Sequence, residues 1–199
     1  MKLVPLLVGG ILGIAAGVAS ALFATGMIGS GGRLSGAVDV DGWQSDWTIG
    51  SAAANPWMRA RIARHGLLAL TKEEAVYFTK ATDDEGKPLT EACTYRVSGG
   101  AMPALWWSVT LYNAESYLPS NSGQALSYDM TKAATAGSPD AWSFTIAPSA
   151  PAEGGWVSSK AAGDFDLTLR LYKPSPDLIA DPEATLPAPA IARVSCGGQ

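Results

Sequence analysis

From Leu3 to Ile28 the chain runs for 26 residues without a charged side chain, and most of those residues are apolar. At about 1.5 Å of rise per residue, such a helix exceeds the roughly 30 Å hydrocarbon core of a bilayer. The run therefore predicts a single N-terminal transmembrane helix, with residues 1–28 as an anchor in the lipid bilayer through residues 3–28. The competing reading is a cleaved signal peptide, for which Ala19-Ser20-Ala21 offers a small-residue cleavage pattern. The apolar run continues past it through Leu22, Phe23, Met27 and Ile28, which a signal peptide does not require. That continuation favours the anchor.

Charge and small residues add orientation and a face. Lys2 precedes the run, while Arg33 follows it and is soon answered by Asp39, Asp41 and Asp46. The positive-inside rule then places the N-terminus in the cytoplasm and the rest outside, which in a bacterium is the periplasm. Gly9, Gly13, Gly17 and Ala21 recur every four residues, so they share one helix face, continued loosely by Thr25 and Gly29. Small side chains let a second helix approach closely in lipid. The row is read as a docking face for an inner-membrane protein.

Beyond the helix, residues 29–39 read as a Gly-rich linker and residues 40–199 as one domain with a Pro-rich C-terminal tail. Residues 33–199 hold 13 basic and 18 acidic side chains, a balance of about −5. Nucleic-acid binding needs clustered Lys and Arg, so a nucleic-acid partner is excluded, and so is adhesion of the domain to anionic lipid. Gly29-Ser30-Gly31-Gly32 is no phosphate loop, since no Gly-Lys-Ser/Thr follows it.

Asn55-Pro56 marks a helix start, with Asn as cap and Pro in the first turn. Trp57, Met58, Ile62, Gly66 and Leu67 form its expected buried side; Arg59, Arg61 and Arg64 face out. Thr71–Glu74 reads as a turn into β-like sequence. Val76–Ala81 and Cys93–Val97 flank Asp83-Asp84-Glu85-Gly86 and read as a hairpin. Leu105–Tyr112 and Phe165–Tyr172 alternate strictly. One face carries Leu105, Trp107, Val109, Leu111, Phe165, Leu167, Leu169 and Leu171; the other carries polar and aromatic residues. Period-two patterning with one apolar face predicts an antiparallel sandwich or barrel. Trp142–Ile146 supplies a further strand. The tail, with Pro174, Pro176, Pro182, Pro187 and Pro189, is expected to wrap the surface, because proline cannot pair centrally.

The order of these segments resembles a bacterial family. Its elements are the helix after Asn55, Glu73-Glu74-Ala75-Val76-Tyr77-Phe78, Asp84-Glu85-Gly86-Lys87-Pro88-Leu89 and the strands Leu105–Asn113 and Phe165–Pro174. The chain is similar over roughly residues 40–195 to the domain of unknown function 1214. The resemblance implies an exported, mainly β, jelly-roll-like antiparallel β-sandwich with one or two short helices. It also implies a separately encoded partner domain, of unknown function 1254, which precedes the domain in longer relatives. The chain departs from the family at Gly155-Trp156-Val157-Ser158-Ser159-Lys160, where an Asn-Trp-Leu-Pro-Ala-Pro-like segment is usual. The family brings no catalytic residues.

The chemical inventory is short. His65 is the single histidine, in an Arg-rich helix, and is read as solvated. No H-E-x-x-H, C-x-x-C or G-x-S-x-G occurs, so zinc, thiol-redox and serine-hydrolase readings lose on inventory, and no catalytic, metal or cofactor residue is assigned. Cys93 and Cys196 are the two cysteines. A bridge closing about a hundred residues would contribute roughly 4 kcal/mol on chain-entropy grounds. Pairing and two free thiols both stay open. Trp107 and Phe165 read as core, Trp43 and Trp47 as membrane-interface aromatics. Ser108, Thr110, Tyr112, Arg170 and Tyr172 share the second face of the two alternating strands, as an internal polar network or an anionic-ligand site. The pairs Asp164/Asp166 and Asp39/Asp41 read as solvated. The leading expectation is a non-enzymatic, membrane-anchored accessory protein of an inner-membrane complex. The alternative is a small-molecule-binding or enzymatic sandwich acting on an exported ligand near Arg170.

Overall fold

A computed structural model describes residues 3–24, 37–65, 70–120, 123 and 125–197. The chain divides into two compact units, residues 1–36 with 48–69, and residues 37–47 with 70–199.

The first unit carries two helices. Helix α1 spans Leu3–Ala24, 22 residues with no acidic or basic side chain in its terminal turns. Residues 25–28 of the expected span lie outside the described residues. Among the described residues no helix is long and apolar enough to cross a membrane. Helix α2, Pro56–His65, starts where the cap signal places it. Asn55 Oδ1 accepts from Met58 N–H at 2.9 Å, satisfying one of the orphan donors of the first turn. Met58 and Ile62 are buried with Ala54, and Ile49 packs against them. Trp57, expected inside, is 44% exposed, because it lies one residue off the Met58–Ile62 face. The side chains of Arg61, Arg64 and His65, and residues Gly66 and Leu67, lie outside the described residues.

The second unit is mainly β. Strands β1 (Ala37–Val40), β2 (Trp43–Asp46), β3 (Ala75–Lys80), β4 (Cys93–Gly100), β5 (Ala104–Asn113), β6 (Ser127–Asp129), β7 (Ala141–Ala147), β8 (Gly155–Ser158), β9 (Phe165–Pro174) and β10 (Ala190–Cys196) follow in order. They build a six-stranded sheet, β1-β2-β3-β9-β5-β6, and a four-stranded sheet, β10-β4-β7-β8. Short helices α3 (Met130–Thr135), α4 (Pro176–Ala180) and α5 (Pro182–Thr185) complete it. The inward residues of β5 and β9 meet those of β4 and β7 in one core. At its centre Trp107 stacks on Trp142 at 4.4 Å between ring centroids, and Phe144 stacks on Tyr128 at 4.7 Å. Aromatic pairs of this kind add about 1 kcal/mol each beyond the area they bury.

Five expectations need correcting. β3 and β4 are not a hairpin: the turn through Gly86 exists, but it carries the chain from one sheet to the other, and β3 pairs with β9 while β4 pairs with β7 and β10. Pairing is not wholly antiparallel, because β7 and β8 run parallel. The tail does not merely wrap the surface. Its prolines start α4 and α5, and its last stretch becomes β10, an edge strand with Ile191 fully buried; an edge position is where a Pro-flanked strand can pair. The linker, expected to reach residue 39, gives way to strand β1 at Ala37. Trp43, finally, is a core residue, fully buried with Nε1 donating to Pro189 O at 2.8 Å. Trp47 is half-buried against Phe78 and donates to Ile179 O.

Candidate functional site

The polar face of the six-stranded sheet is built by register. β5 and β9 are antiparallel neighbours, which sets Trp106 opposite Tyr172, Ser108 opposite Arg170, Thr110 opposite Thr168 and Tyr112 opposite Asp166. On the other side of β9, β3 sets Tyr77 opposite Arg170 and Thr79 opposite Thr168. Since directly opposed residues point to the same side of a sheet, all of these lie on the face away from Trp107, Val109 and Leu111. The five residues named from sequence are thus brought onto one face.

Arg170 is the centre. Its Nη2 donates to the Tyr112 hydroxyl at 2.5 Å, and its guanidinium lies 5.2 Å from the Tyr112 ring and 6.0 Å from the Tyr77 ring. Cation–π contacts at these distances contribute about 0.5–1 kcal/mol or more as water is excluded. Among the described residues no carboxylate lies within ion-pairing distance of Arg170. Trp106 and Tyr172 pack their rings at 5.5 Å, and Thr79 and Thr168 share a hydrogen bond at 3.3 Å. Ser108 and Thr110 are buried between these larger side chains.

Sequence reasoning missed Asp166. It was read as solvated, yet it is largely buried and its Oδ1 has no hydrogen-bond partner. Burial raises its pKa from 3.8 to about 6, against the opposing pull of a hydrogen bond from Thr168 and the charge of Arg170. The signal was available: Asp166 is in the same period-two set as Thr168 and Arg170, so it had to share their environment. Asp39, Asp41 and Asp164 are exposed, as expected. The Tyr77 hydroxyl is also pushed up, first by burial and then by Tyr172, with Arg170 opposing.

A second constellation ties the C-terminal strand down. Cys93 and Cys196 face each other across β4 and β10 and are joined in a disulfide. Arg193 sits beside it. Its Nε donates to Asp83 Oδ2 at 2.7 Å, its Nη2 to Pro88 O at 2.9 Å, and its Nη1 to the sulfurs of Cys93 and Cys196 at 3.7 Å each. Asp83 is buried, which alone would raise its pKa. The N–H groups of Lys87 and Glu85 together with Arg193 outweigh that and hold it below the ordinary carboxylate range. Next to it, Asp84 accepts from Ile191 N–H at 2.8 Å and from Lys80 Nζ at 2.9 Å. An open groove of about 520 Å³ is lined in part by Lys80, Asp83, Asp84 and Pro189. Lys80 and Asp84 are committed to one another, Asp83 to Arg193, and both aspartates also to backbone N–H groups. No group of three metal-ligating side chains occurs among the described residues.

Gly9, Gly13 and Gly17 lie on α1, and a Cβ at any of them would touch nothing within 4 Å. Ala21 follows on the same helix, half-buried.

Two sheets packed over one aromatic core, with Arg170 bonded to Tyr112 and Thr79 to Thr168 on the outer face, define a β-sandwich-type domain. The family described as "Protein of unknown function (DUF1214)" matches residues 74–176, just over half of the chain, and the chain belongs to that family. Among solved structures it is similar to the VPA0106 protein from Vibrio parahaemolyticus, with a TM-score of 0.56 and 19% identity. The likeness covers 72% of this chain and 36% of that one, so the chain spans little more than a third of the solved protein. A weaker likeness, TM-score 0.43 and 12% identity, links it to an uncharacterised protein from Burkholderia cenocepacia, covering 61% of this chain and 30% of that one. No curated protein matches.

Proposed function

We propose that the chain is a non-enzymatic, membrane-tethered accessory protein of the bacterial inner membrane, with its jelly-roll-like β unit in the periplasm. The observation that supports this most is how the β unit spends its side chains. Trp107, Trp142, Tyr128 and Phe144 fill the space between the sheets, and on the outer face Arg170 is bonded to Tyr112 and Thr79 to Thr168. A catalytic or ligand site of ordinary kind is a concave, mostly apolar pocket with a few convergent polar groups. The uncharged run of residues 3–28 supports the tether, and the row of Gly9, Gly13, Gly17 and Ala21, open at its three glycines, supports docking of α1 on a membrane partner. The solved relative is about twice as long as this chain, which leaves room in that protein for a further domain of the kind proposed here as the partner. Purification of the native protein from membranes tests the reading. A stoichiometric co-purifying membrane or periplasmic protein is expected; recovery of the chain alone, without detergent, overturns it.

A second reading rests on one observation. Arg170 has no carboxylate partner among the described residues, so its guanidinium is the group that would take a small anionic exported ligand. Calorimetry against a panel of short carboxylates tests it; heats equal to those of Arg170→Gln would remove it.

A further inference from the structure

β10 is held at its two ends by different devices. At its start Ile191 is fully buried, its N–H donates to Asp84 Oδ2, and its carbonyl accepts from Asp84 N–H at 3.0 Å. At its end stand the disulfide and the Arg193–Asp83 ion pair. The two sulfurs are unequal: Cys93 is buried, with 4% exposure, and Cys196 is exposed. An incoming thiolate therefore reaches Cys196 and not Cys93. The group placed to receive charge is already there, because Arg193 Nη1 contacts both sulfurs and its guanidinium rests 5.5 Å from the Tyr95 ring.

We propose that Cys93–Cys196 is an exchangeable disulfide that takes a dithiol reductant at Cys196, with Arg193 holding the departing sulfur of Cys93. In the first step a thiolate of the dithiol attacks Cys196 Sγ. A bond forms between those sulfurs, the Cys93–Cys196 bond breaks, and Cys93 leaves as a thiolate against Arg193. In the second step the remaining thiol of the dithiol, as its thiolate, attacks its own sulfur in the mixed disulfide and releases Cys196. The dithiol is oxidised to a disulfide by two electrons, and its two protons pass to solvent or to the released sulfurs. Leaving is faster when the departing thiol is more acidic, and a neighbouring guanidinium makes it so. The charged or titratable groups facing the sulfurs and Arg193 are Asp83 from the β3–β4 turn and Tyr95 from β4; Arg193 stays protonated throughout. The Asp84–Ile191 clamp does not depend on the sulfurs, so β10 stays paired after reduction and exchange is reversible. In this assignment Arg193 is a positioning residue.

The test uses the full-length chain equilibrated at pH 8 in mixtures of reduced and oxidised dithiothreitol. Alkylation and intact mass read the reduced fraction, and near-ultraviolet circular dichroism reads the fold in the same samples. Expected is reversible two-electron reduction with the aromatic signal kept, and an equilibrium about tenfold less favourable to reduction in Arg193→Gln, a shift of about 30 mV. Loss of the aromatic signal on reduction, or equal midpoints for the two chains, overturns the proposal. Should Arg193→Gln not fold, a second variant decides. In Cys196→Ser, where Cys93 is the one thiol, the thiolate absorbance should half-maximise below the ordinary thiol value of about 8.5, and a midpoint at or above that value overturns the proposal.

Discussion

Gly99 lies directly beneath the indole of Trp142: a Cβ at Gly99 would come within 2.3 Å of Trp142 Cζ2 and 2.7 Å of Cε2. The two residues are cross-strand partners in β4 and β7, so the missing side chain on one strand is the space occupied by the ring on the other. Trp142 also donates Nε1 to Gly100 O at 2.8 Å, which prevents the ring from tilting away. Gly99→Ala is therefore expected to destabilise the β unit by about 2–3 kcal/mol through overpacking, against a few tenths for Gly100→Ala, where the nearest atom would be 3.7 Å away. Urea unfolding of the two variants measures the difference.

Asp166 makes stability depend on pH in a direction opposite to most carboxylates. Its pKa rises from 3.8 to about 6 on folding, so the folded chain holds a proton that the unfolded chain has released between those values. That contribution is complete below about pH 4 and is lost as the pH climbs through 6, for a total on the order of 2–3 kcal/mol. Asp166→Asn should flatten the pH 4–7 stability profile and unfold later than the original chain at pH 8. Thermal melts across that range would show it, and an unchanged profile would place the proton elsewhere.

Asp83 behaves in the ordinary sense. Its folded pKa is depressed, so the stability from its ion pair with Arg193 is present at neutral pH and is lost as acid reaches the folded value. Removing one member of a buried pair leaves the other unpaired, so Asp83→Ala should cost about 3 kcal/mol at pH 7. The cost should shrink at low pH, where the original carboxyl is itself neutral. Denaturant midpoints of both chains followed from pH 7 downward show whether the difference narrows.

The helix face carries the functional proposal. Leu at Gly13 adds four heavy atoms to the small-residue row without making α1 less apolar, so membrane insertion should survive. Close packing in lipid rests on van der Waals contact, and a misfit of that size should release a docked partner. Ala15→Leu, off the row, should retain it. Recovery of the partner from native membranes with each variant is the measurement, and equal retention by both would show that the spacing of Gly9, Gly13 and Gly17 serves no docking.

What the sequence alone determined lies in local terms. The cap at Asn55 names its helix start because the bond to Met58 closes within three residues. The alternation in 105–112 and 165–172 names which residues face the core because side chains in any strand point to alternate sides. The uncharged run at 3–24 names a helix because an unbroken apolar stretch of that length exceeds any ordinary strand.

Tertiary structure alone decided who stands beside whom. Period-two patterning assigns a face and leaves the neighbour open, so β5 and β9 could be paired only by a fold that brings Ser108 and Arg170 together across 61 intervening residues. The same holds for β3 and β4, which look like a hairpin because they are close in sequence but enter different sheets, each burying an apolar face against the other. Asp83, Asp166 and the Cys93–Cys196 pair follow from that arrangement. Burial and partnership are properties of the whole packed unit: the period-two set names which residues share a face with Asp166, and only the fold decides how much water that face loses.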